Sequence, residues 1–161
     1  MNEEGGGKSF SGEQPRQRIV HDMEQQVWVL QGKILIGTPL NENVIPEKIL
    51  TISCRDDAYV NKDKGNAIYM GVKSNGLALS CVDSGGQATL KLEKKNITDL
   101  YNLKKAEKPF VFYLKETGST ATFESAAYPD CFICSSLGGP ITLTKGSGKE
   151  KNTHFHLEDT H

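Results

Sequence analysis

The feature that most constrains the fold is a succession of about a dozen short apolar runs, separated by Gly, Asn, Asp and Pro. Representative runs are Val27 to Leu30, Ile68 to Val72, Phe110 to Leu114 and Ile141 to Thr144. Short strands bounded by turn residues every 8–12 positions or so are typical of a β-sandwich or a small barrel. Only residues 93–103 carry apolar side chains at helical spacing, which predicts one or two turns of helix. The sequence therefore predicts an all-β domain.

Three hairpin-like units recur along the chain, each with two apolar strands around a turn. They are Trp28 to Ile36, Tyr69 to Leu79 and Phe132 to Leu143. Val29 and Met70 are 41 positions apart, whereas Met70 and Cys134 are 64 positions apart. The spacing is irregular, but an average of about 50 residues is compatible with a threefold β fold. Three pseudo-repeats of about four strands each predict a β-trefoil of about twelve strands.

The N-terminal segment differs in composition from the rest of the chain. Residues 1–18 are rich in Gly, Glu, Gln and Arg, with Phe10 as their one aromatic side chain. Such a segment buries no core, so we predict a disordered tail or propeptide over residues 1–18 and a single folded domain over residues 19–161. The start has neither the basic nor the apolar region of a secretory signal peptide. No apolar run approaches the ~18 residues of a membrane helix, so membrane insertion is not expected.

The charge balance argues against nucleic acid as a partner. The chain has 19 Lys and Arg against 20 Asp and Glu, a formal net charge of −1, whereas nucleic-acid binders carry a basic excess. Residues 91–95 and 104–108 are rich in Lys but interleaved with Glu. Most such clusters are solvated faces, and binding of an anionic partner such as a glycosaminoglycan is the less favoured alternative.

The candidate chemical motifs all lack a necessary part. Cys131 and Cys134 have CxxC spacing, but no βαβ unit and no second pair accompany them, so all four cysteines are interpreted as buried thiols. His154 and His156 share a strand face without a third ligand, which favours an exposed strand over a metal site. The segment 146–150 lacks the first Gly and the hydroxyl of a phosphate-binding loop. We therefore expect no enzymatic activity, no metal and no cofactor.

Several stretches together resemble the interleukin-1 family, most closely its interleukin-36 subgroup, with some features like interleukin-37. The stretches are Phe123 to Ser135, Leu90 to Tyr101, Lys108 to Tyr113, Val27 to Leu30 and Gly65 to Gly71. The resemblance spans about residues 20–157. It implies a β-trefoil cytokine, monomeric, which is made as a cytoplasmic precursor and acts outside the cell without a signal peptide. It also implies binding to an interleukin-1-family receptor ectodomain and recruitment of an accessory receptor chain.

The resemblance also implies particular site residues. Members of the subgroup are trimmed about nine residues ahead of an aliphatic-x-Asp motif, which Val20 and Asp22 match, so the mature chain would begin at Ser11. Two loops are expected to contact the receptors. Their residues are Arg55, Asp56 and Asp57 in one loop, and Lys145, Gly146, Ser147, Gly148, Lys149, Glu150 and Lys151 in the other. The second loop has the short, glycine-containing form of the agonists, which favours a pro-inflammatory role.

One departure from the subgroup keeps alternatives open. Asp130 and Cys131 follow Pro129, where Gly and Trp are usual in the subgroup. A receptor antagonist or an anti-inflammatory, interleukin-37-like member is therefore the alternative function. A trefoil lectin or an intracellular inhibitor without a receptor is a third hypothesis, from a different class.

Overall fold

The computed structural model describes residues 12–160, which form twelve β-strands and one short α-helix. The strands are β1 (Arg16–Asp22), β2 (Gln26–Gln31), β3 (Ile34–Pro39), β4 (Ile49–Ser53), β5 (Asn66–Val72), β6 (Leu77–Ser84), β7 (Gln87–Lys94), β8 (Val111–Thr117), β9 (Thr120–Ser125), β10 (Cys131–Cys134), β11 (Thr142–Lys145) and β12 (Phe155–Asp159). Helix α1 is Ile97–Tyr101, within the segment predicted to be helical. Short 3₁₀ turns lie at Asp57–Tyr59, Lys108–Phe110 and Lys151–Thr153.

Six of the strands close a barrel. The antiparallel order is β1, β4, β5, β8, β9 and β12, and β12 pairs back onto β1. The other six form three hairpins, β2–β3, β6–β7 and β10–β11, each joined to one barrel strand. Each third of the chain thus contributes two barrel strands and one hairpin. This arrangement is the predicted β-trefoil with three pseudo-repeats.

The middle hairpin differs from the predicted one. Tyr69 to Leu79 covers the β5–β6 connection, whereas the threefold equivalent of β2–β3 and β10–β11 is β6–β7. From the first residue of β2, Gln26, to the first residue of β6, Leu77, is 51 positions, and from Leu77 to the start of β10 at Cys131 is 54. The repeat is therefore more regular than the sequence suggested. The error arose because the apolar strands β5 and β6 flank the turn residues Ser74, Asn75 and Gly76, whereas β7 alternates but has only one buried side chain.

Aromatic side chains from the first and third repeats fill the barrel interior. Trp28, Phe123 and Phe155 are fully buried, and their ring centroids lie 5.3 to 6.4 Å apart in tilted and edge-on arrangements. Such geometry is favoured between aromatic rings over face-to-face stacking. A second apolar cluster lies under α1, whose Ile97 and Leu100 are buried. The core thus holds the barrel rigid beneath its surface loops.

The folded domain begins before residue 19, the predicted start. Strand β1 starts at Arg16 and alternates buried and less buried side chains, with Arg18, Val20 and Asp22 on the buried side. Polar residues on this strand made it resemble a tail in composition. Residues 1–11, which include Ser11, lie outside the described residues.

Candidate functional site

The β4–β5 loop carries the first predicted group of receptor-binding residues. Arg55 is exposed, donates from Nε to the carbonyl of Tyr101 at 2.8 Å and lies 4.4 Å from the centroid of that ring. Asp56 is half-buried and accepts hydrogen bonds from the backbone N–H groups of Ala58 and Ala106, both at 2.9 Å. These two bonds lower the pKa of the Asp56 carboxyl. The loop is thereby fixed against the segment that follows α1.

The β4–β5 loop is also anchored at its C-terminal end, where it leads into β5. Asp57 and Val60 are exposed, whereas Lys64 forms an ion pair with buried Glu124 of β9 at 2.6 Å. Gly65 has φ +111°, and a Cβ there would lie 2.3 Å from a backbone carbonyl oxygen of β8. Only glycine fits this position. The loop therefore presents exposed side chains from an anchored backbone.

The β11–β12 loop carries the second predicted group. Gly146 donates its N–H to the carbonyl of Asp130 at 2.8 Å, and His154 Nε2 donates to the carbonyl of Gly148 at 2.9 Å. Gly148 has φ +76°, and a Cβ there would lie 2.7 Å from the ring of Phe132. The loop backbone therefore packs closely on β10, which requires glycine at this point.

Most side chains of the β11–β12 loop point into solvent. Lys151 forms an exposed ion pair with Glu24 of the β1–β2 turn at 2.8 Å, which contributes little stability. Ser147 Oγ donates to Glu150 within the loop at 3.3 Å. Because these two interactions are exposed to solvent, a partner that binds the loop can replace them. The exposed side chains are those of Lys145, Ser147, Lys149, Glu150 and Lys151.

The structure does not join the two predicted loops into one site. The β4–β5 loop is bonded to the α1 region and to β9, and the β11–β12 loop to β10 and the β1–β2 turn. Among residues 12–160, no hydrogen bond or ion pair connects them. The two loops are linked indirectly, because Glu124 pairs with Lys64 of the first loop and accepts from the N–H of Asp130, whose carbonyl accepts from Gly146 of the second.

The motif residues Val20 and Asp22 are structural. Their side chains are 1% and 3% exposed, so a protease has no access to them in the folded chain. Asp22 Oδ1 accepts from the N–H of Gln26 at 2.8 Å, and Oδ2 accepts from Gln26 Nε2 at 2.7 Å and Ser135 Oγ at 2.9 Å. The carboxylate thereby joins the β1–β2 turn to the end of β10. The motif therefore lies within the first barrel strand.

The comparisons with known proteins agree with this architecture. The family model described as "Interleukin-1 / 18" matches residues 41–157. Interleukin-36 alpha of Homo sapiens is 42% identical over 152 residues, which cover 93% of this chain and 96% of that protein. The chain belongs to the interleukin-1 family. Interleukin-36 beta of Mus musculus is 41% identical over 150 residues, covering 92% of this chain and 82% of that protein.

A solved structure gives the same placement within the interleukin-1 family. The NMR structure of the pro-inflammatory cytokine interleukin-36alpha has a TM-score of 0.77 and 40% sequence identity, over 96% of this chain and 99% of that chain. The predicted resemblance to the interleukin-36 subgroup is thus confirmed. This member of the interleukin-1 family is an interleukin-36-like, β-trefoil protein.

The structure explains one departure from the subgroup in physical terms. Asp130, where the resemblance expects Gly, has φ +69°, in the left-handed region that favours glycine. Its N–H donates to Glu124 at 2.8 Å, and its carbonyl accepts from Gly146 of the β11–β12 loop. Aspartate therefore retains the backbone geometry that glycine would adopt. The departure costs conformational energy but does not displace the loop.

The residues considered for metal or redox chemistry are engaged elsewhere. His154 immediately precedes β12 and bonds to Gly148 and Thr120, and His156 donates from Nδ1 to the carbonyl of Ser119 at 3.1 Å. Both histidines are half-buried, so they do not form the exposed strand face that was predicted. Within residues 12–160, no group of three His, Cys, Asp or Glu side chains is placed to hold a metal ion. The same residues include no helix with the length and apolar character to cross a membrane.

The thiols are free and mostly buried, as predicted. Cys81, Cys131 and Cys134 are buried, and Cys54 is half-buried with its Sγ 3.5 Å from Tyr69 Oη. Burial, with a further contribution from Cys131, raises the pKa of Cys81 to about 12. Such a thiol is unreactive at neutral pH.

Sequence reasoning missed a groove at the open end of the barrel, next to the β4–β5 loop. The groove has a volume of about 600 Å³, and Asp56 of that loop is one of the residues that line it. Arg18 of β1 lines it and is 6% exposed. The alternation of β1 could have revealed this inward-facing arginine, but residues 1–18 had been assigned to a tail. Other lining side chains are Glu13, Arg16, Thr51, Lys62, Asn66 and Glu116.

Proposed function

We propose that this protein is an interleukin-36-like, pro-inflammatory cytokine. It binds an interleukin-1-family receptor chain and then recruits an accessory receptor chain to signal. The observation that carries the proposal is the nearly full-length similarity to interleukin-36 alpha, whose solved structure is described as that of a pro-inflammatory cytokine. The short β11–β12 loop, held by backbone bonds through Gly146 and Gly148, supports the agonist role.

The geometry favours recognition by exposed loops on a rigid scaffold. Both loops are anchored by backbone hydrogen bonds and present charged side chains, so little conformational entropy is lost when a partner binds them. Receptor interfaces of this kind are polar, with a few buried anchors. Two loops without a direct bond between them suit two receptor chains. We assign Arg55, Asp56 and Asp57 to one chain and the exposed residues of Lys145 to Lys151 to the other.

We also propose that the protein is made as a cytoplasmic precursor, is activated by trimming to Ser11, and acts outside the cell. Glu13, the second described residue, donates its N–H to Tyr101 Oη at 3.0 Å and accepts at its carboxylate from the N–H of Ser53. Tyr101 in turn contacts Arg55. The chain ahead of Gly12 is therefore attached beside the β4–β5 loop, where additional residues would obstruct a partner.

The test uses cells that carry the interleukin-36 receptor pair, treated with the full-length chain or with the chain that begins at Ser11. We expect a strong response to the Ser11 form and a weak one to the full-length form. If the cells respond to neither form, the agonist proposal is wrong. Competition with a known agonist then identifies an antagonist, because an antagonist blocks the agonist without a response of its own.

Binding measured against the two receptor ectodomains, singly and together, separates the receptor steps. An agonist binds one ectodomain alone and retains the second only when the first is present. An antagonist binds the first and does not recruit the second. Binding to sugars with no affinity for either ectodomain would instead support a trefoil lectin.

A further inference from the structure

The groove at the open barrel end contains a buried guanidinium with unused hydrogen-bond donors. Arg18 is 6% exposed, and its Nη2 donates to Thr51 Oγ1 at 2.8 Å. Its Nε is buried and has no hydrogen-bond partner among residues 12–160. A guanidinium has five N–H donors in a fixed fork, and a buried donor left without a partner is costly. The arrangement is unfavourable unless water or another group satisfies this donor.

Nearby acids do not neutralise this charge directly. Asp159 is engaged by Arg16, whose Nη2 lies 2.9 Å from both carboxylate oxygens. Glu13 is bonded to Ser53, and Asp56 accepts from two backbone N–H groups. Glu13 and Asp56 line the groove, and the hydrogen bonds just named already engage the oxygens of all three carboxylates.

Glu116 is the remaining acid that lines the groove. It is exposed and acts on Arg18 through space, but no ion pair of 4.0 Å or less joins them within the described chain. Burial and the neighbouring Arg16 lower the pKa of Arg18. An arginine nevertheless stays protonated, so the positive charge persists inside the groove.

We propose that Arg18 is the centre of an oxyanion-binding site, which receives a carboxylate or a phosphate group at the side of the guanidinium that lines the groove. Two oxygens of such a group match the guanidinium edge in a bidentate arrangement. The hydroxyl of Thr51 accepts from Arg18 Nη2 and thereby helps to orient the guanidinium. The groove volume of about 600 Å³ is large enough for a side chain or a small anion. The source is either a free anion or an acidic side chain of the receptor chain, and the second source depends on the proposed function.

The first experiment titrates the Ser11 form with sodium phosphate and, separately, sodium acetate at constant ionic strength. The readout is the ¹⁵N–¹H resonance of Arg18 Nε. We expect a saturable shift of this signal at millimolar to tens of millimolar anion, with much smaller changes at Arg16. An Arg18 Nε signal that does not move with either anion overturns the proposal.

Variants sharpen this result. Glu116→Gln removes the competing carboxylate and should tighten anion binding about threefold, the size of an exposed charge effect. Glu42→Gln is the matched control, since it makes the same charge change in an exposed loop away from the groove. Equal tightening in both would indicate general electrostatics and overturn the site. Arg18→Lys keeps the charge but loses the fork, and should weaken binding about tenfold.

The second experiment identifies the source of the oxyanion. Receptor-ectodomain affinity is measured for the wild type and Arg18→Lys, after thermal unfolding has shown that both are folded. A loss of affinity that parallels the weaker anion binding assigns the site to an acidic receptor side chain, and unchanged receptor affinity assigns it to a free anion. If the wild type binds no receptor, the proposed function fails, while the titration alone still decides the site.

Discussion

At the scale of single residues, Asp130 and Gln25 are the two non-glycine residues with positive φ among residues 12–160, and Asp130 offers a test of backbone strain. Its φ of +69° lies in the left-handed region, where a non-glycine residue costs about 1 kcal/mol or more. Asp130→Gly removes that cost, although glycine also gains entropy in the unfolded chain. We therefore expect a gain in unfolding free energy of up to about 1 kcal/mol, measured as a higher urea midpoint.

The matched control is Glu42→Gly, at an exposed loop position outside the residues with positive φ. There the added unfolded-state entropy is not offset, so we expect a loss of about 0.5–1 kcal/mol. If both glycine substitutions destabilise the protein equally, Asp130 is not strained.

Cysteine reactivity gives a second prediction at this scale. The pKa of Cys81 is raised to about 12, so at pH 8 only about one thiol in ten thousand is ionised. In the native protein we expect iodoacetamide to modify half-buried Cys54 well before Cys81, as read by peptide mass spectrometry. In denaturing urea the two should react at similar rates. Native labelling of Cys81 at the rate of Cys54 would contradict the buried placement.

The sequence revealed different amounts about different residues. The apolar residues of the barrel could be predicted because they stand in short strands between turn signals. Asp22 was recognised only as part of a processing motif, since its buried hydrogen bonds involve Ser135, more than a hundred positions away. Arg18 was missed because the alternation of β1 was not recognised within a segment assigned to a tail, and its burial depends on pairing with a strand near the other end of the described chain.

At the scale of elements, the β11–β12 loop depends on a glycine that contacts β10. Gly148→Ala places a Cβ at φ +76° and 2.7 Å from the Phe132 ring, so the alanine meets both backbone strain and a clash. We expect a loss of about 2–3 kcal/mol in unfolding free energy and a weaker receptor response. Urea unfolding and the cell assay measure the two effects.

The control for this change is Gly118→Ala in the β8–β9 turn. Gly118 has φ +63°, but no atom lies within 4 Å of its added Cβ, so only the backbone cost of about 1 kcal/mol applies. Equal losses in the two variants would show that the loop does not pack on Phe132. The comparison thus isolates the contact that shapes the proposed receptor loop.

The element scale also shows where pattern reading failed. The hairpins β2–β3 and β10–β11 were predicted correctly because a strand of each is strongly apolar. The middle hairpin was assigned to β5–β6 instead of β6–β7, because β5 and β6 are both strongly apolar whereas β7 exposes several of its side chains. Threefold symmetry could be predicted from the number of strands and their mean spacing. Which strands form the equivalent hairpin in each repeat could be seen only from the strand pairing in the structure.

At the scale of the whole molecule, β1 closes the barrel and connects the two ends of the chain. It pairs with β4 through Arg16, Gln17 and Arg18, and with β12 from Arg18 to Asp22. Residues up to 18 were predicted to be a tail because they are polar. In a barrel, however, one face of a strand suffices to complete the core, so polar composition does not exclude a closing strand.

This closure sets a limit on N-terminal trimming. A chain that begins at Ser11 keeps every contact of residues 12–160, and we expect its urea midpoint to match that of the full-length chain. A chain that begins at Arg16 loses the bonds of Glu13 to Ser53 and Tyr101, at a cost of about 1 kcal/mol. A chain that begins at Ile19 loses the pairing of β1 with β4 and the buried Arg18, and should lose at least about 3 kcal/mol or fail to unfold cooperatively.

Urea unfolding followed by circular dichroism compares the three truncated chains with the full-length protein. Because the m-value scales with the surface exposed on unfolding, an open barrel should also lower m in the Ile19 chain, whereas the Ser11 and Arg16 chains should keep it. Equal midpoints and m-values for all the chains would mean that β1 contributes nothing to the barrel. The graded outcome would instead place the proposed trimming site just outside the first residues that the closed barrel requires.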